Sequence, residues 1–98
     1  MATLHVIAHS PFGDDRLESC LRLLDINDAV LLCADAVNAL RMGSATAAQL
    51  NAAGLDGRLF ALEEDMTARA ISSNLAQTID YPTFVELSLR YDKVNSWL

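Results

Sequence analysis

Residues 29–34, Ala29-Val30-Leu31-Leu32-Cys33-Ala34, form the longest uncharged apolar run in the chain and constrain its fold more than any other stretch. With no polar alternation, a strand here has no side to offer to water. Such strands belong to parallel sheets covered on both faces. At six residues the run is far short of the roughly 20 needed to span a bilayer. A doubly covered strand requires helices above and below it, and the rest of the chain supplies the alternation that would build them.

Leu4, Val6, Ile7 and Ala8 read as a first strand, ended by the loop Ser10-Pro11-Phe12-Gly13. Asp15 and Glu18 resemble a capping box. Leu17, Cys20, Leu21 and Leu24 follow at the spacing of one buried helical face. Asn27-Asp28 makes a turn before the apolar run. Residues 35–40 start a helix that Met42-Gly43-Ser44 interrupts; Thr46 and Gln49 then suggest a second capping box, and Gly54 a C-cap. Residues 58–62 predict a third strand, running into Glu63-Glu64-Asp65, acids suited to a helix start. Residues 72–74 form a turn and 76–79 a weak fourth strand. Pro82 fits the first turn of a last helix, where its missing N–H costs nothing, and Phe84, Leu87 and Tyr91 share one of its faces. The tail Val94-Asn95-Ser96-Trp97-Leu98 is apolar enough to need cover. The expected fold is therefore α/β. It is one small domain, residues 1–98, with a mostly parallel central sheet of four to five strands flanked by helices on both faces.

Charge narrows the function. Thirteen acidic against seven basic residues give a net charge of −6, which argues against direct nucleic-acid binding and against adhesion to anionic membranes. Residues 1–5 lack the basic and apolar segments of a signal peptide, so the expected location is cytoplasmic. Two cysteines without a CxxC pattern neither staple a secreted miniprotein nor hold a metal. Glycines at 13, 43, 54 and 57 make neither a P-loop nor a GxGxxG fingerprint, and no cofactor is expected. Asp14, Asp15 and Asp35 follow the first two strands, as in a phosphoacceptor domain, but its late-strand lysine is missing because the one lysine is Lys93 in the tail. His5 alternates with Leu4 and Val6, which would turn it outward or toward a partner. His9 falls at the carboxyl end of the first strand, where α/β sheets tend to place ligands.

The cysteines differ in kind. Cys33, inside the apolar run, reads as an inert small hydrophobe. Cys20 is at the shoulder of its helix's apolar arc, about 60° from Leu17 at 100° per residue. Arg16, one turn earlier, would favour a thiolate there, while burial and the acids nearby would oppose it. A structural and a reactive cysteine both fit this spacing.

Several segments together resemble the TusB/DsrH family over nearly the whole chain. They are Leu4-His5 with Ser10-Pro11, Leu31-Leu32 with Asp35-Ala36-Val37, and Leu62 through Asp65 to Ala68-Arg69. Ile79-Asp80-Tyr81 with Phe84-Val85 and Leu87, and the tail Trp97, complete the set. The stretch Leu17-Glu18-Ser19-Cys20-Leu21 is similar to the DsrH branch, in which a cysteine occurs on this helix. The family's usual arginine-glycine pair is Arg69-Ala70 here, and the segment before Ile79 is shorter than in relatives.

The resemblance implies a DsrEFH-like fold and the smallest subunit of a heterohexamer, two copies each of three homologous chains. The partners would be a TusC/DsrF-like and a TusD/DsrE-like subunit, with sulfur-carrier proteins met indirectly. In such complexes sulfur arrives as a persulfide, is held chiefly by a cysteine of the largest subunit, and leaves to another carrier. It ends on the 2-position of wobble uridine in tRNA in TusBCD systems and serves sulfur oxidation in DsrEFH systems. Within this frame the chain is either a scaffold, an accessory subunit of a sulfurtransferase complex, or a DsrH-type subunit with Cys20 as persulfide acceptor. A free-standing phosphoacceptor domain is the remaining alternative, and it would need an acidic Mg²⁺ pocket at the sheet's carboxyl edge.

Overall fold

A computed structural model describes residues 2–13 and 15–97, so Asp14 of the phosphoacceptor reading and Leu98 of the tail lie outside the described residues. The chain runs β1 (Thr3–Ile7), α1 (Arg16–Leu23), β2 (Ala29–Leu32), a 3₁₀ segment (Ala34–Leu40) and α2 (Ala45–Ala52). It continues with β3 (Leu59–Leu62), α3 (Glu63–Ala68), β4 (Gln77–Ile79), α4 (Tyr81–Arg90) and β5 (Lys93–Trp97). The five strands form one sheet in the order β4-β3-β2-β1-β5, every pair parallel.

This order explains the layering. From β1 to β4 the chain steps across the sheet in one direction, and crossovers of one hand place their helices on one face. Leu17 and Cys20 of α1, Leu50 of α2, Met66 of α3 and the 3₁₀ segment's Val37 and Leu40 pack there on Ile7, Val30, Leu32 and Ala61. The connection from β4 to β5 runs the opposite way, so α4 covers the other face, with Leu87 and Phe84 on Leu4, Ala29, Leu31 and Phe60. All four β2 residues are fully buried, as the apolar run requires. Burying one such leucine stabilises the fold by about 1.5–3 kcal/mol.

Local details depart from the sequence reading at the helix ends. Asp15 precedes α1 but makes no side-chain cap, and Glu18 pairs instead with Arg22 one turn on at 2.8 Å. The cap of α2 is Ser44, whose hydroxyl accepts from the Ala47 N–H at 3.1 Å. Thr46, two residues later, turns its hydroxyl to the carbonyl of Ala39. The segment after β2 winds as a 3₁₀ helix rather than an α-helix. The last helix starts as expected, with Asp80 capping and Pro82 in its first turn. The tail becomes β5, parallel to β1, with Thr3 opposite Lys93 and Ile7 opposite Trp97. Residues 93–96 of β5 are exposed at the edge of the sheet.

Candidate functional site

Three groups of side chains have the chemistry to matter: the Cys20 thiol, a buried His5–Asp28 pair, and the polar cluster at the carboxyl edge around Cys33. They are set in place by α1, by the ends of β1 and β2, and by α3.

Cys20 and Leu17, three residues apart, form the line of α1 that touches the sheet, while Leu21 and Leu24 ride its flank half-buried. The apolar arc is thus centred closer to Cys20 than its spacing suggested. The partly open side that a shoulder position would leave the thiol is absent, with Cys20 0% exposed. Burial pushes this thiol up to about 12, and the negative charge of Asp28 adds to the rise. At neutral pH the group is a thiol, with very little of the thiolate that would act as nucleophile.

Asp28 ends the turn before β2 and points back under β1. Its Oδ1 accepts the backbone N–H of Thr3 at 3.0 Å, and its Oδ2 accepts that of Asp25 at 3.0 Å. The same Oδ2 is 3.1 Å from Nε2 of His5. Burial alone would raise this carboxyl, but the donors from Asp25, Thr3 and His5 outweigh it and hold the group below its ordinary value. The Arg58 guanidinium closes the turn by donating to the carbonyls of Asp25 and Asp28.

His5 is not turned outward: it is 6% exposed. Its other nitrogen, Nδ1, accepts from the indole Nε1–H of Trp97 at 3.0 Å. An indole nitrogen can only donate, so Nδ1 carries the lone pair and the single ring proton is on Nε2, donated to Asp28. Among the described residues no buried side-chain nitrogen or oxygen lacks a partner. The sequence reading gave Asp28 a place in a turn and missed its pairing with His5. The usable signal was that His5 is two residues before Ile7 and shares its face, which in a doubly covered sheet is interior.

At the carboxyl edge, β2 stops two residues before the apolar run ends, leaving Cys33 outside the strand and half-buried. Its thiol donates to the carbonyl of Ile7 at 3.6 Å. Burial raises this thiol too, helped by the charge of Asp65. Cys33 is therefore less enclosed than the sequence implied. Ala34 follows with φ of 49°, a left-handed conformation held by its N–H donating to Asp65 Oδ2 at 2.8 Å. Arg69 gathers the acids here, donating to Asp35 at 2.9 Å and approaching Asp65 at 3.6 Å. Asp35 is thus engaged with an arginine, Asp15 is exposed at the start of α1, and His9 is exposed beyond β1. Among the described residues no three His, Cys, Asp or Glu side chains converge as a metal site.

Elsewhere, an open groove of about 840 Å³ between α2 and residues 72–75 is lined by uncharged side chains such as Ser44, Asn51, Ser73 and Asn74. The outer side of α4 exposes Tyr81, Val85 and Leu89, with Val94 of β5 also exposed. Among the described residues no helix is long and apolar enough to cross a membrane.

Comparison with known proteins identifies the family of the chain. The family model described as DsrH like protein matches residues 9–94. Protein TusB of Erwinia tasmaniensis is 36% identical over 97 residues, which is 96% of this chain and 99% of that protein. Protein TusB of Yersinia enterocolitica is 34% identical over the same shares. Among solved structures, the ychN protein from E. coli superposes with a TM-score of 0.76, covering 98% of this chain and 99% of that one. At 19% identity it establishes the parallel α/β fold and nothing finer.

Proposed function

The chain belongs to the DsrH family, and on that premise we propose that it is a structural subunit of a cytoplasmic sulfur-relay complex. Its partners are a TusC/DsrF-like and a TusD/DsrE-like chain, joined with it in a heterohexamer holding two copies of each. Persulfide sulfur passes from one carrier protein to another through a cysteine of the largest subunit, and its destination is the 2-position of wobble uridine in tRNA. This chain touches neither the RNA nor a membrane, in keeping with its net charge of −6.

The observation that carries the reading is similarity to TusB proteins across almost the full length of both chains. The burial of Cys20 supports a structural part for the chain in the relay. To take up sulfur, a cysteine must attack the outer sulfur of a persulfide as thiolate, releasing the donor's thiolate. A thiol raised to about 12 in a closed core does this poorly. The exposed apolar side of α4 supplies surface that a partner would cover.

Co-expression with TusC-like and TusD-like chains of the same genome tests the assembly by light scattering; a discrete complex of hexamer mass supports it, and a monomer that ignores both chains refutes it. Incubating the complex with a persulfidated carrier, followed by intact-mass analysis of each subunit, tests the division of labour. A TusD-like chain gaining one sulfur beside an unmodified DsrH-like chain supports the structural role. One added sulfur on Cys20 makes it a secondary acceptor and overturns that role.

A further inference from the structure

We propose that Asp28, His5 and Trp97 form an acid-opened latch that fastens β5 to the sheet. The inference is independent of the relay reading. β5 has β1 as its one neighbour, its residues 93–96 are exposed, and Trp97 at its end is the residue that reaches the interior. Besides the backbone pairing of β5 with β1 and packing on the main core, Trp97 is held by the hydrogen bond from its indole N–H to His5 Nδ1.

The chemistry of that bond makes it sensitive to protons. Nδ1 is the free lone pair of the imidazole, because Nε2–H is committed to Asp28. A proton entering the ring therefore binds Nδ1, forming a new N–H bond that faces the indole N–H. Two donors now oppose each other, and the indole must turn its hydrogen to water. The latched state binds one proton fewer than the opened state, so by linkage a fall in pH favours opening. Asp28 still accepts from Nε2–H, which keeps His5 in place while Trp97 leaves.

The other titratable and charged groups around the ring do not supply a second latch. From α1 comes the Cys20 thiol, which stays protonated. The connection before β3 brings Arg58, held by the carbonyls of Asp25, Asp28 and Gly54. At the start of β5, Asp92 accepts from the N–H of Ala2 at 2.8 Å, and Lys93, opposite Thr3, is exposed. The latch is thus the imidazole alone, read by one indole.

The chain contains one tryptophan, so its indole N–H resonance reports the latch without ambiguity. NMR of the full chain should show the Nε2–H tautomer of His5 at neutral pH. As the ring protonates, the indole resonance should move to its solvent-exposed position. Amide exchange in β5, corrected for its intrinsic pH dependence, should accelerate by about three- to tenfold while β2 stays protected, as expected for losing one hydrogen bond. His5→Asn, which keeps an acceptor near Nδ1 but does not titrate, should hold the indole resonance constant over the same range. Should that variant fail to fold, Trp97→Phe serves: β5 exchange is then fast already at neutral pH, with no further acid step. A ring that protonates while the indole and β5 stay unmoved overturns the proposal. So does an Nδ1–H tautomer, or β2 losing protection together with β5.

Discussion

Asp28→Asn keeps the volume of the side chain and removes its charge, which isolates what the carboxylate contributes to the junction of β1 and β2. The carboxylate accepts from Thr3 N–H on one oxygen and from Asp25 N–H and His5 on the other. Asparagine has one acceptor oxygen, and its least costly orientation leaves that oxygen on the Asp25–His5 side. The amide NH₂ then faces Thr3 N–H, donor against donor, at about 1–3 kcal/mol for the unsatisfied group. Converting two charge-assisted bonds to neutral ones adds about 0.5–1 kcal/mol each. The expected loss is therefore about 2–5 kcal/mol, or about 10–25 °C in Tm for a chain of this size. Urea unfolding at neutral pH, followed through the single tryptophan, measures it. The sign of the pH dependence is fixed as well. The native carboxyl lies below its ordinary value, so its stabilisation is complete above the unfolded group's titration near about pH 4. It is lost as pH falls through the lower native value. The gap between wild type and variant should therefore begin to shrink as pH falls through about 4 and close below the native value. A variant within about 0.5 kcal/mol of wild type at neutral pH, or a gap that persists undiminished in acid, would refute the reasoning.

Other substitutions test other parts of the structure. Ala70 is in the left-handed region at φ 52°, so Ala70→Gly should stabilise the chain by about 1 kcal/mol in urea unfolding, and a loss of stability there would contradict that backbone conformation. Leu31→Ala, in a strand buried on both faces, should cost about 2–5 kcal/mol, and a cost under about 1 kcal/mol would show that the α4 layer does not seal it. In the native chain a thiol reagent should modify half-buried Cys33 before fully buried Cys20, whose labelling should follow the rate of unfolding; peptide mapping reads the order, and the reverse order fails the prediction.

What could be read from the sequence follows the range of the interactions. The apolar run at 29–34 announced a strand without a solvent face, and it is the centre strand of a parallel sheet. Pro82 and the 3.6-residue period of Phe84, Leu87 and Tyr91 announced α4, because helix starts and faces are set within one or two turns. The candidate site was less legible, since its partners meet across the fold. Asp28 is 23 residues from His5, and Trp97 is 92. Neither separation leaves a local pattern. Cys20 shows the same limit at finer scale: spacing put it on the apolar arc, but only the packing of α1 fixed which residue faced the sheet. Cys33 was misplaced by a single residue, enough to move it from strand interior to sheet edge.

The pairing of β1 with β5 has a consequence during biosynthesis. Ribosomes make β1 first, and the strand that completes its outer edge follows about ninety residues later, with Thr3 awaiting Lys93. At roughly 5–20 residues per second, that edge stays unpaired for several seconds while β2, β3 and β4 assemble on the other side. An open parallel edge is a template for any passing strand. Its odd-numbered side meanwhile keeps His5 without the indole that will satisfy Nδ1. The β1 edge is therefore most open to wrong pairing in the interval before β5 is made, and slow codons placed in that interval would be expected to lower the yield of folded chain.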